Sequence, residues 1–477
     1  MGRPLAGRVG LGVLLASGFL LGSAALAQQG TGIRAVFGVS QGFSADTNRT
    51  LAFADPGRSL VSTTNLNFGL RSETRTQQFS IQGQVAARLF DVPDDTRRFR
   101  FGSPDLSTSY RRDGANSGLS LSGRISRDNL RFLRPIDDFV IGVPLLDDAG
   151  LPVLDDAGEP IEVDVVVLPE EEGDLFGGGT RTRTDLSGRL DLGREGPLGL
   201  TVTASRQALR YADAPTESDR TRQQLGLDAR LRLSPVTTGR VRLNFSRFDA
   251  EDALRTQRDR IGLRIGVRHA FSQRLVLDAS LGPSRVVTRD RATGARRESR
   301  GIDGDIGLTY DLLNGTVGLS LAAVTNEDGT RRSLSVNRAL DLPRGAISGA
   351  VGVARTAQGR TRATGRLDYR HELPRGALSL QARRDFAVNV DDEVEAFTSL
   401  VLGYDHAINS ISSFGVDARY LSRTEDRASL TATYRRALTR DWNLNMGYRF
   451  DSIDRTAGRV TNHGVFLNLS RSFDFGL

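Results

Sequence analysis

TQRDRIGLRIGVRHAFSQRLVLDASL, residues 256–281, decides the fold. Ile261, Leu263, Ile265 and Val267 alternate with glycine and arginine. A turn follows at Phe271-Ser272-Gln273, and Leu275, Leu277, Ala279 and Leu281 then resume the alternation. A period of two puts each apolar set on one face of an extended strand, whereas a helix would need a period of 3.6. The other face of the first strand carries Arg258, Arg260, Arg264 and Arg268. One hairpin therefore presents a greasy side and a cationic side.

Moving outward, the same unit recurs from residue 180 to the C-terminus. Leu225, Leu227, Ala229, Leu231 and Leu233 form one apolar row, with Asp228, Arg230 and Arg232 between them. Val241, Leu243 and Phe245 form the next, with Arg242 interposed, and Arg362, Arg366, Asp368 and Arg370 line the polar side of a later segment. Phe414, Val416, Ala418 and Tyr420, then Leu444, Met446, Tyr448 and Phe450, continue the pattern. Counting from Ile33 gives about 22 segments, an even number that leaves both chain ends on one side of a membrane. Miscounting the weak segments around 98–127 would lower the number to 18 or 20.

A soluble sandwich also alternates, but it must hide its apolar face between two sheets. This many strands without a helix favour the inverse, with apolar side chains toward lipid and charges toward a wet lumen. Closure is then obligatory, because a sheet edge in hydrocarbon leaves backbone groups without partners. An apolar content of only 38% agrees with this reading, since just every second residue faces lipid. The expected fold is all-β: a single closed antiparallel transmembrane β-barrel.

The N-terminus reads as an export signal. Arg3 and Arg8 flank the apolar run at 9–22, and Ala25-Leu26-Ala27 supplies the small-x-small cleavage pattern. The division expected is a cleavable signal peptide over 1–27 and a barrel over 28–477. About five residues separate Gln28 from Ile33, too few for a globular plug or a passenger, so the barrel is expected to have no plug domain.

The final strand carries a family resemblance. Stepping back by twos from the C-terminus gives Leu477, Phe475, Phe473, Arg471, Leu469, Leu467 and Val465. This resembles the terminal strand of bacterial outer-membrane proteins, in which Phe usually occupies the last position, here Leu477. The resemblance implies that Phe473, Phe475 and Leu477 form an insertion signal read by the barrel-assembly machinery. It implies residence in the outer membrane, among its lipids and lipopolysaccharide.

Connections alternate between tight turns, such as Asn314-Gly315 and Pro343-Arg344-Gly345, and longer polar segments near 206–221, 248–258, 288–300, 325–331, 386–395, 422–427 and 452–462. Short periplasmic turns and long outer loops are the bacterial pattern. Leu342-Pro-Arg-Gly-Ala346 returns as Leu373-Pro-Arg-Gly-Ala377, a spacing that fits two strands and two turns. The break in the alternation is an acidic extracellular loop at 135–179. Asp137 to Asp174 holds 13 acidic residues and no basic one, with Asp-Asp-Ala-Gly repeated at 147–150 and 155–158. It joins the fifth and sixth strands, a placement similar to the constriction loop of general porins. Asp147, Asp148, Asp155, Asp156, Glu170, Glu171 and Glu172 are the candidate constriction residues if the loop folds inward. A solvated external hairpin and a calcium-holding cluster are the other readings.

Charge sets the functional expectation. The chain contains no lysine, so all 64 cations are arginine, against 57 acidic residues. Setting aside the 13 acids of the loop leaves 44, a surplus of about 20 arginines on the remainder. Arginine stays protonated at any working pH. Arg230, Arg232, Arg242, Arg264, Arg268, Arg362, Arg366 and Arg370 are thus candidate lumen-lining residues of a passage for hydrophilic, anionic solutes. Export of a polysaccharide or another polymer, and a structural role without a pore, are the alternatives. Scattered arginines without a recognition motif argue against nucleic acid. Zero cysteines remove disulfides, thiolate metal sites and thiol nucleophiles. His269 and Ser272 fall on opposite faces, His371-Glu372 lacks further ligands, and no Gly-x-Ser-x-Gly or His-Glu-x-x-His occurs. No enzyme, metal or cofactor is expected.

Overall fold

The computed structural model describes residues 32–476 apart from 52, 54–56, 93–98, 131–139, 145–161, 167–178, 215–217, 389–393, 423–424 and 456. The signal-peptide expectation therefore lies outside the described residues. The first five strands are β1 (Ile33–Asp46), β2 (Ser59–Glu73), β3 (Gln77–Asp91), β4 (Phe99–Asp113) and β5 (Ser117–Asn129). A short hairpin, β6 (Val140–Pro144) and β7 (Glu162–Val166), forms a two-stranded sheet of its own. Then come β8 (Thr180–Leu192), β9 (Leu198–Ala212), β10 (Arg220–Ser234), β11 (Thr237–Ala250), β12 (Thr256–Ala270), β13 (Leu275–Asp290) and β14 (Arg296–Leu312). Next are β15 (Gly315–Asn326), β16 (Gly329–Leu342), β17 (Gly345–Arg355), β18 (Thr361–Leu373) and β19 (Gly376–Val388). The last are β20 (Val394–Asn409), β21 (Ser412–Ser422), β22 (Asp426–Ala437), β23 (Trp442–Arg455) and β24 (Gly458–Gly476).

Every barrel strand pairs antiparallel with its chain neighbours, and β1 pairs with β24 from Arg34↔Gly476 to Asp46↔Gly464. Twenty-two strands thus close without an edge. Closure satisfies the backbone groups that lipid cannot.

The register fixes two faces. Leu227↔Leu243, Leu243↔Leu263 and Ile265↔Leu281 share one, while Asp228↔Arg242, Arg242↔Arg264 and Arg268↔Asp278 share the other. Most of the large exposed hydrophobic side chains on the strands, Leu225, Ile265, Leu281, Ile302 and Val351 among them, lie on the first face. The second face is the concave one. Arg264 of β12 reaches Asp305 of β14 at 3.1 Å, and Arg260 of β12 reaches Asp303 of β14 at 2.5 Å, each across an intervening strand. Side chains converge on the inside of a curved sheet and diverge on its outside, so strand-skipping pairs mark the lumen.

The repeated Leu-Pro-Arg-Gly-Ala turn has a steric cause. Gly345 has φ 155°, and a Cβ there would stand 2.0 Å from the Arg370 carbonyl oxygen of the adjoining strand. At its duplicate, a Cβ on Gly376 would stand 2.0 Å from the Asp405 carbonyl.

The expected long outer loops are corrected. Most of the polar stretches are strand, leaving connections such as 251–255, 291–295, 327–328 and 356–360. Ladder pairing continues past the apolar belt, because backbone hydrogen bonding does not depend on which side chains face outward. Alternation of apolar with polar residues ends before the strand does.

All four histidines sit on the outward face in aromatic surroundings. His269 meets Phe271 edge-on with ring centroids at 4.7 Å, and His371 and His406 stack with Tyr369 and Tyr404 at 6.1 Å. His463 Nδ1 lies 2.7 Å from the Tyr448 hydroxyl. Amphipathic rings of this kind suit the water–lipid boundary. The Ser272 hydroxyl accepts the Arg274 and Leu275 amides within its turn, which is a structural use.

Candidate luminal surface

The lumen wall mixes neutral and charged positions. From β2 to β9 Ser, Thr, Asn and Gln side chains face inward among ion pairs such as Arg124–Asp105 and, at 2.9 Å, Arg189–Asp191. Ser80 and Ser109 hydroxyls lie 2.7 Å apart, Ser122 and Ser187 2.6 Å apart, and Gln207 donates to Asp185 at 3.0 Å. A cavity of about 1690 Å³ lies against this sector, bordered by Gln82, Ser107, Ser122 and Thr203 and by Arg71, Arg124 and Arg189.

The eight candidate arginines lie on β10, β11, β12 and β18. The register places all eight candidate arginines inward, with partners of different kinds. Arg242 meets Asp228 at 2.9 Å, Arg264 meets Asp305 at 3.1 Å, Arg268 meets Asp278 at 4.0 Å and Arg366 meets Asp368 at 2.6 Å. Arg230 donates to the Arg194 carbonyl at 2.8 Å, pinning a periplasmic turn. Arg232, Arg362 and Arg370 are exposed and have no carboxylate partner among the described residues. Asp303, almost wholly buried, accepts from Arg260, from the Ser284 hydroxyl at 2.9 Å and from the Thr325 amide at 2.7 Å. Much of the wall is thus a cross-linked lattice, and three arginines stand outside it.

A feature missed in the sequence closes the outer end of the seam. The chain after β1 folds inward over β23 and β24. Leu51 is buried against Ile453 and Val460, both inward-facing. The Asn48 amide donates to Asn462 Oδ1 at 2.9 Å, and Asn462 Nδ2 donates to Asp46 at 3.3 Å and Asp451 at 3.1 Å. Arg49 pairs with Asp46 at 3.0 Å. The sequence signal was one leucine in a polar stretch, with its partners some 400 positions away.

The candidate constriction residues, Asp147, Asp148, Asp155, Asp156, Glu170, Glu171 and Glu172, lie outside the described residues. The backbone of the acidic loop contributes the β6–β7 hairpin, Val140↔Val166 to Pro144↔Glu162, which brackets both Asp-Asp-Ala-Gly units. At the terminal strand, Phe473 faces outward with its ring 6.1 Å from that of Phe37 on β1, and Phe475 is exposed on the same face. Leu477 is outside the described residues.

No family model matches the chain, and no curated protein matches its sequence. Its fold is shared with solved structures. The FrpB iron transporter of Neisseria meningitidis (F5-1 variant) superposes with TM-score 0.60 at 8% identity, covering 94% of this chain and 83% of that one. The ferric-catecholate import receptor Fiu of E. coli K12 gives 0.56 at 11% identity, covering 94% and 82%. The siderophore receptor PirA of Acinetobacter baumannii gives 0.53 at 7% identity, covering 94% and 81%. The closed 22-strand barrel and these likenesses define a bacterial outer-membrane β-barrel protein, resident in the outer membrane.

They also overturn the plug-free barrel expected from the sequence. The similar structures are TonB-dependent receptors, which have a plug domain. The physical reason is width: a 22-strand barrel encloses enough space to hold a folded plug, whereas a barrel of 16 to 18 strands leaves a plain aqueous channel. The spacing between Gln28 and Ile33 does not decide whether a barrel of this width is plug-free.

Proposed function

We propose that this barrel is the wall of a regulated outer-membrane passage that admits a hydrophilic, anionic solute. The supporting observation is that Arg232, Arg362 and Arg370 face the lumen outside the carboxylate lattice that holds the other candidate arginines. Permanent positive charge on a wet wall raises the local concentration of anions. Between the ion pairs of β2–β9, Ser, Thr and Gln offer hydroxyl and amide groups to a polyhydroxylated or amide-bearing solute. Similarity to an iron transporter and a ferric-catecholate import receptor favours inward movement of a bulky solute.

The test is permeation of proteoliposomes by anionic and neutral sugars of equal size, comparing wild type with R232S/R362S/R370S. A unit charge about 10 Å from the solute contributes about 0.4 kcal/mol in water, cut to ~0.15 kcal/mol by 0.1 M salt. Three such charges predict an anion preference that falls about twofold in 0.1 M salt and about eightfold at low salt. No permeation by any solute, or an unchanged preference at low salt, overturns the proposal.

A further inference from the structure

On the outward face of β11–β14, just above the apolar belt, five arginines crowd around two carboxylates. Glu298 receives Arg285 at 2.8 Å, Arg296 at 3.0 Å and Arg300 at 2.6 Å, and Asp259 receives Arg247 at 2.7 Å and Arg289 at 2.8 Å. These seven groups carry a net charge of +3. Arg285, Arg247 and Arg289 pair across one strand boundary and Arg296 and Arg300 pair within β14, so none of the five skips a strand, as expected on a convex face. The acids lie low in the cluster: their side chains are 18% and 24% exposed, against 42–74% for the arginines. The carboxylates act as a footing that fixes the guanidiniums, and the surface presented to the surroundings is cationic. Charge of this density on the outward side does nothing for the lumen.

Directly beneath lies an apolar groove of about 540 Å³ on the same face. Ala279, Gly304 and Ala323 form its low floor, and Ile265, Leu281 and Ile302 its walls. Arg332 borders it from β16. The rows are continuous: Ile261 of the belt is registered with Arg285, and Arg285 with Arg300. A clamp of fixed guanidiniums suits phosphate oxygens, which arginine binds in a bidentate manner. A trough floored by glycine and alanine suits a hydrocarbon chain. Placed one above the other at the membrane boundary, they describe one ligand.

We propose that this face binds a phosphorylated, acylated glycolipid of the outer leaflet, its phosphate held by Arg285, Arg289 and Arg300 and one acyl chain lying in the Ala279–Gly304–Ala323 groove. The occupant follows from charge complementarity above and apolar continuity below, which a soluble anion would use only in part. The site is independent of the passage and does not rest on its selectivity.

Native mass spectrometry of the detergent-solubilised full chain tests it, with diphosphoryl lipid A, monophosphoryl lipid A and inorganic phosphate as probes. Wild type should retain the diphosphoryl lipid at least tenfold more tightly than the monophosphoryl lipid, and R285S/R289S/R300S should lose that difference. Ala323→Leu, which fills the groove from a position that already carries a Cβ and leaves the arginines in place, should weaken both lipids several-fold. Heat-modifiable gel mobility confirms that each variant is folded. If the triple variant does not fold, Arg300→Ser, at the most exposed arginine of the cluster, should weaken the diphosphoryl lipid about threefold. Equal retention of both lipids by wild type, unchanged retention by the folded variants, or inorganic phosphate competing fully with the lipid overturns the proposal.

Discussion

Truncating Leu51 to alanine isolates what the inward-folded segment contributes to the barrel seam. Leu51 is 1% exposed, in a small cluster with Ile453 and Val460 at the outer end of β23 and β24. That end is bathed by water, so the bookkeeping for soluble cores applies. Leu→Ala removes three carbons at roughly 0.8 kcal/mol each, and a small cavity term brings the loss to about 2.5 kcal/mol. The strand ladders are untouched, so the loss should appear as local opening of the segment after β1 and not as unfolding of the barrel. A change of about 2.5 kcal/mol multiplies the open population by roughly 60. Trypsin reports it, because Arg49 is nearly buried and ion-paired with Asp46 in the closed form. Cleavage of a briefly opened site tracks its open population when reclosing is fast. Cleavage after Arg49, followed by mass spectrometry on outer-membrane vesicles, should therefore accelerate about 60-fold. Cleavage after Arg291, in the distant 291–295 connection, should not change. A rise of less than threefold at Arg49, or an equal rise at both sites, would show that Leu51 does not hold the segment closed.

Other substitutions probe the wall itself. Asp303→Asn can keep Oδ1 as acceptor for the Thr325 amide and Ser284 hydroxyl, but it removes the charge that Arg260 pairs with and turns an NH2 toward that guanidinium in a nearly buried site. It should cost about 1–3 kcal/mol, read as a lower urea midpoint for the heat-modifiable folded band. Gly282→Val places a Cβ where the Leu263 carbonyl oxygen would lie 1.9 Å away, so β12 and β13 must separate and folded yield should fall sharply, measured by the same gel assay. Replacing Phe473 and Phe475 with serine should slow insertion into the outer membrane, seen as periplasmic accumulation of unfolded chain. Insertion at the wild-type rate would show that these rings are only lipid-facing filler.

What could be read in the sequence follows from what is local. Apolar alternation in segments such as 261–267 and 275–281 is a property of a few consecutive residues, and it fixed strand, face and approximate number. The outer reach of the strands was not legible, because Arg247, Asp249, Asp259 and Glu298 interrupt the apolar row while the ladder continues through backbone groups. Nor was the Leu51 lock, whose partners Ile453 and Val460 become neighbours only when β1 and β24 join. The inward orientation of Arg230, Arg232, Arg242, Arg264, Arg268, Arg362, Arg366 and Arg370 was legible from parity alone. Which of them have carboxylate partners was not, since Asp305 reaches Arg264 from two strands away. The plug-free expectation came from the short spacing between Gln28 and Ile33 and not from the strand number, which was legible.

The account rests on one orientation: apolar side chains toward lipid and arginines toward water around a closed barrel. The chain has no cysteine, so single cysteines introduced one at a time at positions 260–267 of β12 can be labelled without background. In outer-membrane vesicles, a water-soluble maleimide should label 260, 262, 264 and 266 readily. At 261, 263, 265 and 267 a spin label should instead sense oxygen dissolved in lipid. Uniform labelling along the strand, or labelling of the odd positions with protection of the even ones, would contradict it.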